Sequence, residues 1–392
     1  MSSLAQSVSP PMEQVRRILI LKPSSLGDVV NALPFLASLR RRYPDRHIAW
    51  LVEEEAAGVL LGHPLLDRVI VSGRRRWGRE ALAPLRWPSA FREMGALVAQ
   101  LREGRYDLVV DLQGLLKSAL MLLVAGARFR VGLADAREGS QRALTHLVPV
   151  PSAPVHAVDR YLEAARFLGA DPSPKTFIFP SGPEDEAKAE ALLAEAGVRP
   201  GDRVVALNPR ARWPTKLWEE DRFARVGEML ARRYRARVLV TGSLSDLPLA
   251  RRLAARMDPA PFLVAGRTDL RVLIALLKQI DLLVTLDSGP MHLAAALGTP
   301  LVALFGPTDP RLTGPYGAGG TILRVPLPCS PCLKRRCQIQ DDRLCMRSIS
   351  EEDVAEAASA ILAAGSRCRR SHDRLQPVPQ GDRVPPLRET AR

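Results

Sequence analysis

Short apolar runs recur along the chain, with polar, helix-patterned stretches between them. RILIL (17–21), HIAWLV (47–52), DRVIV (67–71) and YDLVVDL (106–112) are short and rich in β-branched residues, and they predict buried parallel strands. The stretches 29–43 and 90–104 carry the period of amphipathic helices. This alternation is a βαβ series. After GADPSPKTFIFPSGP (169–183), rich in Pro, Gly and Ser, the pattern starts again with DRVVALNP (202–209), ARVLVTGS (236–243), APFLVAG (260–266), DLLVTLDS (281–288) and PLVALFG (300–306).

The expected organisation is therefore two α/β domains facing each other across a cleft. A flexible N-terminus (1–15) precedes a first domain at 16–170, and a linker at 171–182 leads to a second domain at 183–349. SEEDVAEAASAILAAG (350–365) reads as a final helix with Ser350 as N-cap and acids in its first turn. The stretch 366–392 has seven Arg against three acids, four Pro and little apolar content, the composition of a disordered basic tail. Ligands of such sheets bind at the carboxyl ends of the strands, so the chemistry is expected where each strand gives way to its loop.

Charge narrows the partners. A formal net charge of +14 attracts something acidic: nucleic acid, anionic lipid or a phosphorylated substrate. Abundant Arg, Ala, Leu and Pro leave compositional bias as the alternative. Aromatic residues are only 5% and form no interleaved platform, which weighs against single-stranded nucleic acid. The N-terminus lacks the apolar core of a secretory signal. The longest apolar candidate, SALMLLVAGA (118–127), is about half of what a spanning helix needs. A cytoplasmic protein is the expectation.

Several strand ends carry chemistry. In KPSSLGDVVNALP (22–34), Asp28 at a strand-to-helix junction is either part of the helix cap or a carboxylate available as general base. In TLDSGPMHLAAALGTPLVALFGPTDP (285–310), Asp287, Ser288, Gly289 and Pro290 open a helix carrying His292. Free N–H groups and the positive end of the helix dipole suit a phosphate or diphosphate there. The turn FGPTDP could line the same pocket; the alternative is two well-made βα turns without a ligand. Neither run matches GxGxxG or a P-loop, which disfavours a dehydrogenase or a kinase.

Cations cluster near these turns. Arg210, Arg212 and Lys216 follow another strand, and Gln113, Lys117, Arg137 and Glu138 follow strands of the first domain. Arg74, Arg75, Arg76 and Arg79 surround Trp77 on an expected loop, as an anionic substrate would need or as a solvated charge run. Cys329, Cys332, Cys337 and Cys345 are spaced x2, x4 and x7, with Cys368 in the tail. CxxC spacing suggests a structural zinc or an iron–sulfur cluster, although the longer gaps fit no standard ribbon and four merely clustered thiols are the alternative.

Taken in order, ILKPSSLGDVVNALP, DLVVDLQGLLKSAL, AREG, TKLWEEDRF, LDSGPMHLAAALGTPLVALFGPTDP and CSPCLKRRC…CM resemble glycosyltransferase family 9, the lipopolysaccharide heptosyltransferases, over about residues 16 to 365. SSLGDVV and DLQGLLKSAL are most similar to its heptosyltransferase I members. The resemblance implies the GT-B architecture, two Rossmann-like domains with the acceptor on the first and the nucleotide sugar on the second. It also implies a final helix crossing back to the first domain, which 350–365 could supply.

The implied reaction is inverting transfer of heptose from ADP-heptose to a Kdo-containing lipid A acceptor. Asp28 matches the family base and Lys216 the lysine that meets the diphosphate. Asp287 matches the acid that holds the donor sugar, with Ser288, Gly289 and His292 as phosphate or nucleotide contacts and Thr268 and Asp246 near the adenosine. On the acceptor side stand Ser25, Gln113, Lys117, Arg137 and the arginines at 74, 75, 76 and 79. No cofactor is implied for catalysis, nucleic acid is not expected, and a lipid acceptor implies transient contact with the cytoplasmic leaflet of the inner membrane. NPRARWPTK lacks the paired threonines found in heptosyltransferase I, so different donor contacts are an expectation there. Three rivals remain: a family member with another donor or acceptor, a GT-B sugar-nucleotide epimerase that turns over without acceptor, and a non-catalytic module binding nucleic acid or anionic lipid.

Overall fold

A computed structural model describes residues 8–74, 76–77, 87–317, 319–339, 342–364 and 387–389. The chain divides into two units, Met1–Pro180 and Ser181–Arg392, at a point inside the expected linker. Val15, ahead of the first strand, is fully buried, and a turn of 3-10 helix spans Met12–Gln14.

The first unit runs β1 (Arg17–Leu21), α1 (Leu26–Asn31), α2 (Leu33–Arg42), β2 (His47–Glu53), α3 (Glu54–Ala57), β3 (Arg68–Ser72), α4 (Trp87–Glu103), β4 (Leu108–Asp111), α5 (Leu116–Ala125), β5 (Phe129–Leu133), β6 (His146–Val148) and α6 (Ala157–Phe167). Its six strands pair in parallel in the order β3-β2-β1-β4-β5-β6. Ile18, Leu19, Ile20 and Leu21 are all fully buried, because a parallel sheet with helices on both faces leaves neither side of a central strand in water.

The second unit repeats the plan: α7 (Pro183–Glu195), β7 (Val204–Asn208), α8 (Glu220–Tyr234), β8 (Arg237–Val240), α9 (Leu247–Ala254), β9 (Phe262–Leu263), α10 (Leu270–Leu277), β10 (Leu282–Leu286), α11 (Gly289–Leu297), β11 (Leu301–Phe305), α12 (Pro310–Thr313), β12 (Gly320–Arg324), α13 (Leu344–Arg347) and α14 (Glu351–Ala364). The strand order is β13-β12-β11-β10-β7-β8-β9, where β13 is Leu387–Glu389. Three residues of the basic tail thus pair in parallel with β12; the remainder of 366–392 lies outside the described residues.

In both sheets the winding direction reverses beside the first strand, between β1 and β4 and between β7 and β10. Leu21 stands opposite Asp111 and Asn208 opposite Thr285, so the residues that follow each pair open into the crevice of their own switch point. Ser350 caps α14 by accepting the Asp353 N–H at 3.1 Å. Val354, Ala357, Ala358 and Leu362 of α14 are buried in the core of the second unit with Phe223 and Val226 of α8, so the apolar face of this helix is used within that unit. Strands β5, β6 and β12 carry no long apolar run. Arg130 and Gly132 interrupt β5, β6 is three residues long, and β12 has only Ile322 and Leu323 as large apolar residues.

Candidate active-site residues in the two units

In the first unit, β1 ends at Leu21 and the chain turns through Lys22–Ser25 into α1. Ser25 is the N-cap, and its backbone N–H and Oγ both donate to Oδ2 of Asp28, at 3.0 and 2.8 Å. The other oxygen, Oδ1, accepts from the Tyr161 hydroxyl at 3.3 Å and lies 3.9 Å from Lys22 Nζ. The two readings of Asp28 therefore coexist: one oxygen closes the capping box while the other faces a lysine and a tyrosine. The Asp28 side chain keeps 36% exposure, against 4% for Lys22.

Lys22 Nζ donates to the Leu112 carbonyl at 3.2 Å and sits 4.8 Å from the centre of the Tyr161 ring. Burial lowers its pKa, and Asp28 works in the opposite direction. Burial raises the Tyr161 hydroxyl well above its ordinary value, and the neighbouring Asp28 charge adds to the effect. Arg160 beside it is fixed on Asp135, with Nε at 2.9 Å from Oδ2. Sequence reasoning missed Tyr161, which comes from α6, 133 residues beyond Asp28, and carries no local signal.

The end of β4 faces this turn. Asp111 is buried and accepts from the backbone N–H groups of Gln113 (2.8 Å) and Gly114 (3.1 Å) and from Ser118 Oγ (2.8 Å). Burial nevertheless raises its pKa. Gly114 has φ +63°, and a Cβ there would come within 3.1 Å of Ala136, so the turn requires glycine. Gln113 Oε1 accepts from Ser24 N–H at 3.4 Å, and Lys117 Nζ donates to Ser24 Oγ at 3.0 Å. Ser25, Asp28, Gln113 and Lys117 are thereby brought to one switch point.

The arginines are more committed than an open anion-binding loop would be. Arg74 Nε donates to the buried Glu53 at 2.9 Å, and Glu53 also lies 3.9 Å from Lys117 Nζ. Arg76 pairs with Glu54 and Glu93, and these hydrogen bonds raise its pKa. Arg137 has an exposed side chain, while its backbone N–H bonds to the Gly114 carbonyl at 2.8 Å. Arg75 and Arg79 lie outside the described residues.

In the second unit, Asn208 at the end of β7 is buried, and its Nδ2 donates to Thr285 Oγ1 and Ser288 Oγ, both at 3.0 Å. This amide ties β7 to the turn after β10. Asp287 follows, 5% exposed, with Lys216 Nζ at 2.6 Å from Oδ2. The Thr308 hydroxyl donates to the same oxygen at 2.6 Å, so the FGPTDP turn does join this site. Ser288 occupies the N-cap position of α11 without a side-chain cap bond, Gly289 is the first residue of the helix and His292 is buried one turn in.

Asp246, after β8, accepts from the Ser243 N–H at 2.9 Å through Oδ2, and its Oδ1 lies 3.2 Å from Nε of Arg210, which follows β7. Thr268 is half-buried, two residues ahead of α10, where Asp269 caps the helix by accepting the Val272 N–H at 2.9 Å. Arg212 is exposed.

The cysteine segment grips this site from behind. Ser330 Oγ donates to the Gly306 carbonyl at 2.6 Å, the Leu333 N–H to Pro307 at 2.7 Å, and Thr215 Oγ1 to the Lys334 carbonyl at 2.8 Å. A Cβ on Gly306 would meet Met346 Sδ at 2.6 Å and Cys345 Sγ at 2.8 Å, so glycine lets this turn lie against α13. Cys329 is exposed and Cys345 buried; burial first, then the other three cysteines, push the Cys345 thiol up to about 11. Among the described residues no three His, Cys, Asp or Glu side chains stand together as metal ligands.

The family model Glycosyltransferase family 9 (heptosyltransferase) matches residues 94–341. Lipopolysaccharide heptosyltransferase 1 of Pseudomonas aeruginosa is 33% identical over 366 residues, covering 90% of this chain and all of the relative. A glycosyltransferase family 9 structure from Veillonella parvula superposes with TM-score 0.76 at 25% identity, over 89% of this chain and 98% of that one. The E. coli heptosyltransferase WaaC with ADP gives TM-score 0.66 at 26% identity, over 89% of this chain and 100% of that one. The doubly wound pair of sheets and the acids at their switch points thus stand in a chain that belongs to glycosyltransferase family 9, the heptosyltransferases.

Proposed function

We propose that this glycosyltransferase moves heptose from ADP-heptose to a Kdo-bearing lipid A acceptor with inversion at the anomeric carbon. The observation that carries the reading is a symmetry of placement. Each sheet sets an acid beside a lysine at its own switch point, Asp28 with Lys22 at 3.9 Å and Asp287 with Lys216 at 2.6 Å. The relatives' names supply the sugar, and the WaaC structure with ADP supports an adenine nucleotide.

In the first unit, Asp28 is the general base. As the acceptor oxygen attacks the anomeric carbon, its proton passes to the carboxylate, the glycosidic bond forms and the bond to the diphosphate breaks. Lys22 and Tyr161 hold Oδ1, while Ser25 holds Oδ2. Lys117 and Gln113, both bonded to Ser24, border the acceptor, and a Kdo carboxylate pairs with Lys117 or Arg137.

In the second unit, the leaving diphosphate meets Lys216 and the N–H groups that open α11 after Ser288. Fixed positive charge at that position stabilises the developing anion. Asp287 orients Lys216 and accepts donor-sugar hydroxyls. The cysteine segment has a structural part, bracing the Lys216 turn through Thr215 and the Thr308 turn through Gly306. The chemistry needs no divalent metal.

Among the described residues no helix is long and apolar enough to cross a membrane. The deciding experiment is transfer from ADP-heptose to Kdo2-lipid A by purified protein, with and without EDTA, alongside Asp28→Ala. Product from the wild type in EDTA and none from the variant supports the reading. A folded wild type that consumes another nucleotide sugar and leaves ADP-heptose untouched removes heptose from it.

A further inference from the structure

Helix α5 is apolar on the wrong side as well as the right one. Ala119, Leu122 and Ala125 are buried in the core with Leu97 and Leu101 of α4. On its other side Leu116, Leu120 and Leu123 are 54%, 58% and 53% exposed. Their spacing of four and three residues puts them on one face of the helix. The packed neighbour α4 adds Phe91, 63% exposed, and Met94. A monomer in water gains nothing from such a patch.

The ten residues of α5 span about 15 Å, half the apolar thickness of a bilayer, so the helix cannot cross one. It is suited to lie in the interface instead. The charge around it leans toward anionic lipid: Arg92 and Arg102 on α4, Arg105 after it, Arg128 just past α5 and Arg137 are exposed, against the exposed acids Glu103 and Glu138, while Glu93 shares Arg76 with Glu54. The same helix carries Lys117 in its first turn, bonded to Ser24 in the turn that leads to Asp28.

We propose that the outer face of α5, with Phe91 and Met94 of α4, beds into the surface of an anionic bilayer. This holds the Lys117 end of the helix, and with it the Ser24–Asp28 turn, at headgroup level. The inference rests on the lipid-acceptor reading only for its purpose; the surface itself stands on exposure, spacing and charge.

The test is flotation of the full-length protein with vesicles of about 7:3 phosphatidylethanolamine to phosphatidylglycerol, with phosphatidylcholine vesicles as the neutral arm. The double variant Leu120→Asp, Leu123→Asp is compared with wild type, and Leu120→Gln, Leu123→Gln serves if the charged pair fails to fold by circular dichroism. Wild type is expected to float with the anionic vesicles and weakly with the neutral ones. The folded variant is expected to bind at least about tenfold more weakly. Its turnover of acceptor embedded in vesicles falls in step, while its turnover of deacylated, water-soluble acceptor is unchanged.

A wild type that ignores anionic vesicles, or a folded variant that floats as well as wild type, overturns the proposal. So does a wild-type dimer that the variant makes monomeric, with no vesicle binding, since a second copy then covers the face. If wild type floats through this face but glycosylates neither acceptor, the docking surface stands and the heptosyl reading fails.

Discussion

Lys216 Nζ and Asp287 Oδ2 are 2.6 Å apart, and both side chains are largely withdrawn from water. Thr308 donates to the same oxygen at 2.6 Å, so the carboxylate is held from two turns. Lys216→Ala removes the cation proposed to meet the diphosphate, and kcat is expected to fall by about two to three orders of magnitude. Thr308→Val removes only a positioning bond; its effect should be smaller, about tenfold, and weighted toward KM for the nucleotide sugar. Steady-state kinetics with the donor varied separates the two, and equal losses would mean that Lys216 acts only by holding Asp287.

Asp28→Asn tests the base without removing the cap. The amide oxygen can still accept from Ser25, so the cap is kept; the buried Lys22 loses its counter-charge, and stability should fall by about 1–2 kcal/mol in a urea melt. Without a proton acceptor, transfer should fall by a factor of about 100 or more. Retained transfer would show that Asp28 serves the helix and that the proton leaves by another route.

The strands with unbroken apolar runs are legible in the sequence because a parallel sheet covered on both faces needs no alternation. RILIL and DLLVTLDS read as buried strands from their residue types alone, and β1 and β10 stand there. Asp28, Lys216 and Asp287 are legible as residues of strand-end motifs. Their partners are not. Thr308, in the expected FGPTDP turn, is the exception; Tyr161 reaches Asp28 from a helix 133 residues away, and Asn208 ties Ser288 in over 80. Such pairings are products of winding direction, which brings β4 beside β1 and β10 beside β7, and no local pattern encodes them. The partners of the arginine run are illegible for the same reason: Glu53, Glu54 and Glu93, each remote from it in sequence, engage Arg74 and Arg76.

Tyr161→Phe should alter the pH profile more than the fold. With its hydroxyl raised well above the ordinary value, Tyr161 stays a neutral donor through the working range and bonds to the charged carboxylate of Asp28. A bond to the charged form favours that form, so its loss makes the carboxylate hold its proton more tightly. The acidic limb of the kcat profile is expected to move to higher pH. A limb that stays in place, with kcat lowered evenly, would assign Tyr161 to packing around Lys22 alone.

His63 makes the stability of the first unit pH-dependent. Its Nε2 lies 2.9 Å from the Ile178 carbonyl and its Nδ1 accepts from the Leu65 N–H at 3.2 Å, a pattern that only the neutral ring with a proton on Nε2 satisfies. Burial lowers its pKa, with the Ile178 bond opposing in part. The unfolded chain takes up that proton near pH 6.5, before the folded one does, so stability is full above 6.5 and declines as pH falls toward the folded value. The slope in that window is at most about 1.4 kcal/mol per pH unit from this group. His47 and His146 are lowered by burial as well and add a residual slope of the same sign. His63→Gln carries no titrating proton. It should be less stable than wild type at pH 7.5, and by a smaller margin at pH 5.5. Urea melts of both proteins at the two pH values measure the difference, and a margin that does not narrow would remove His63 as its source.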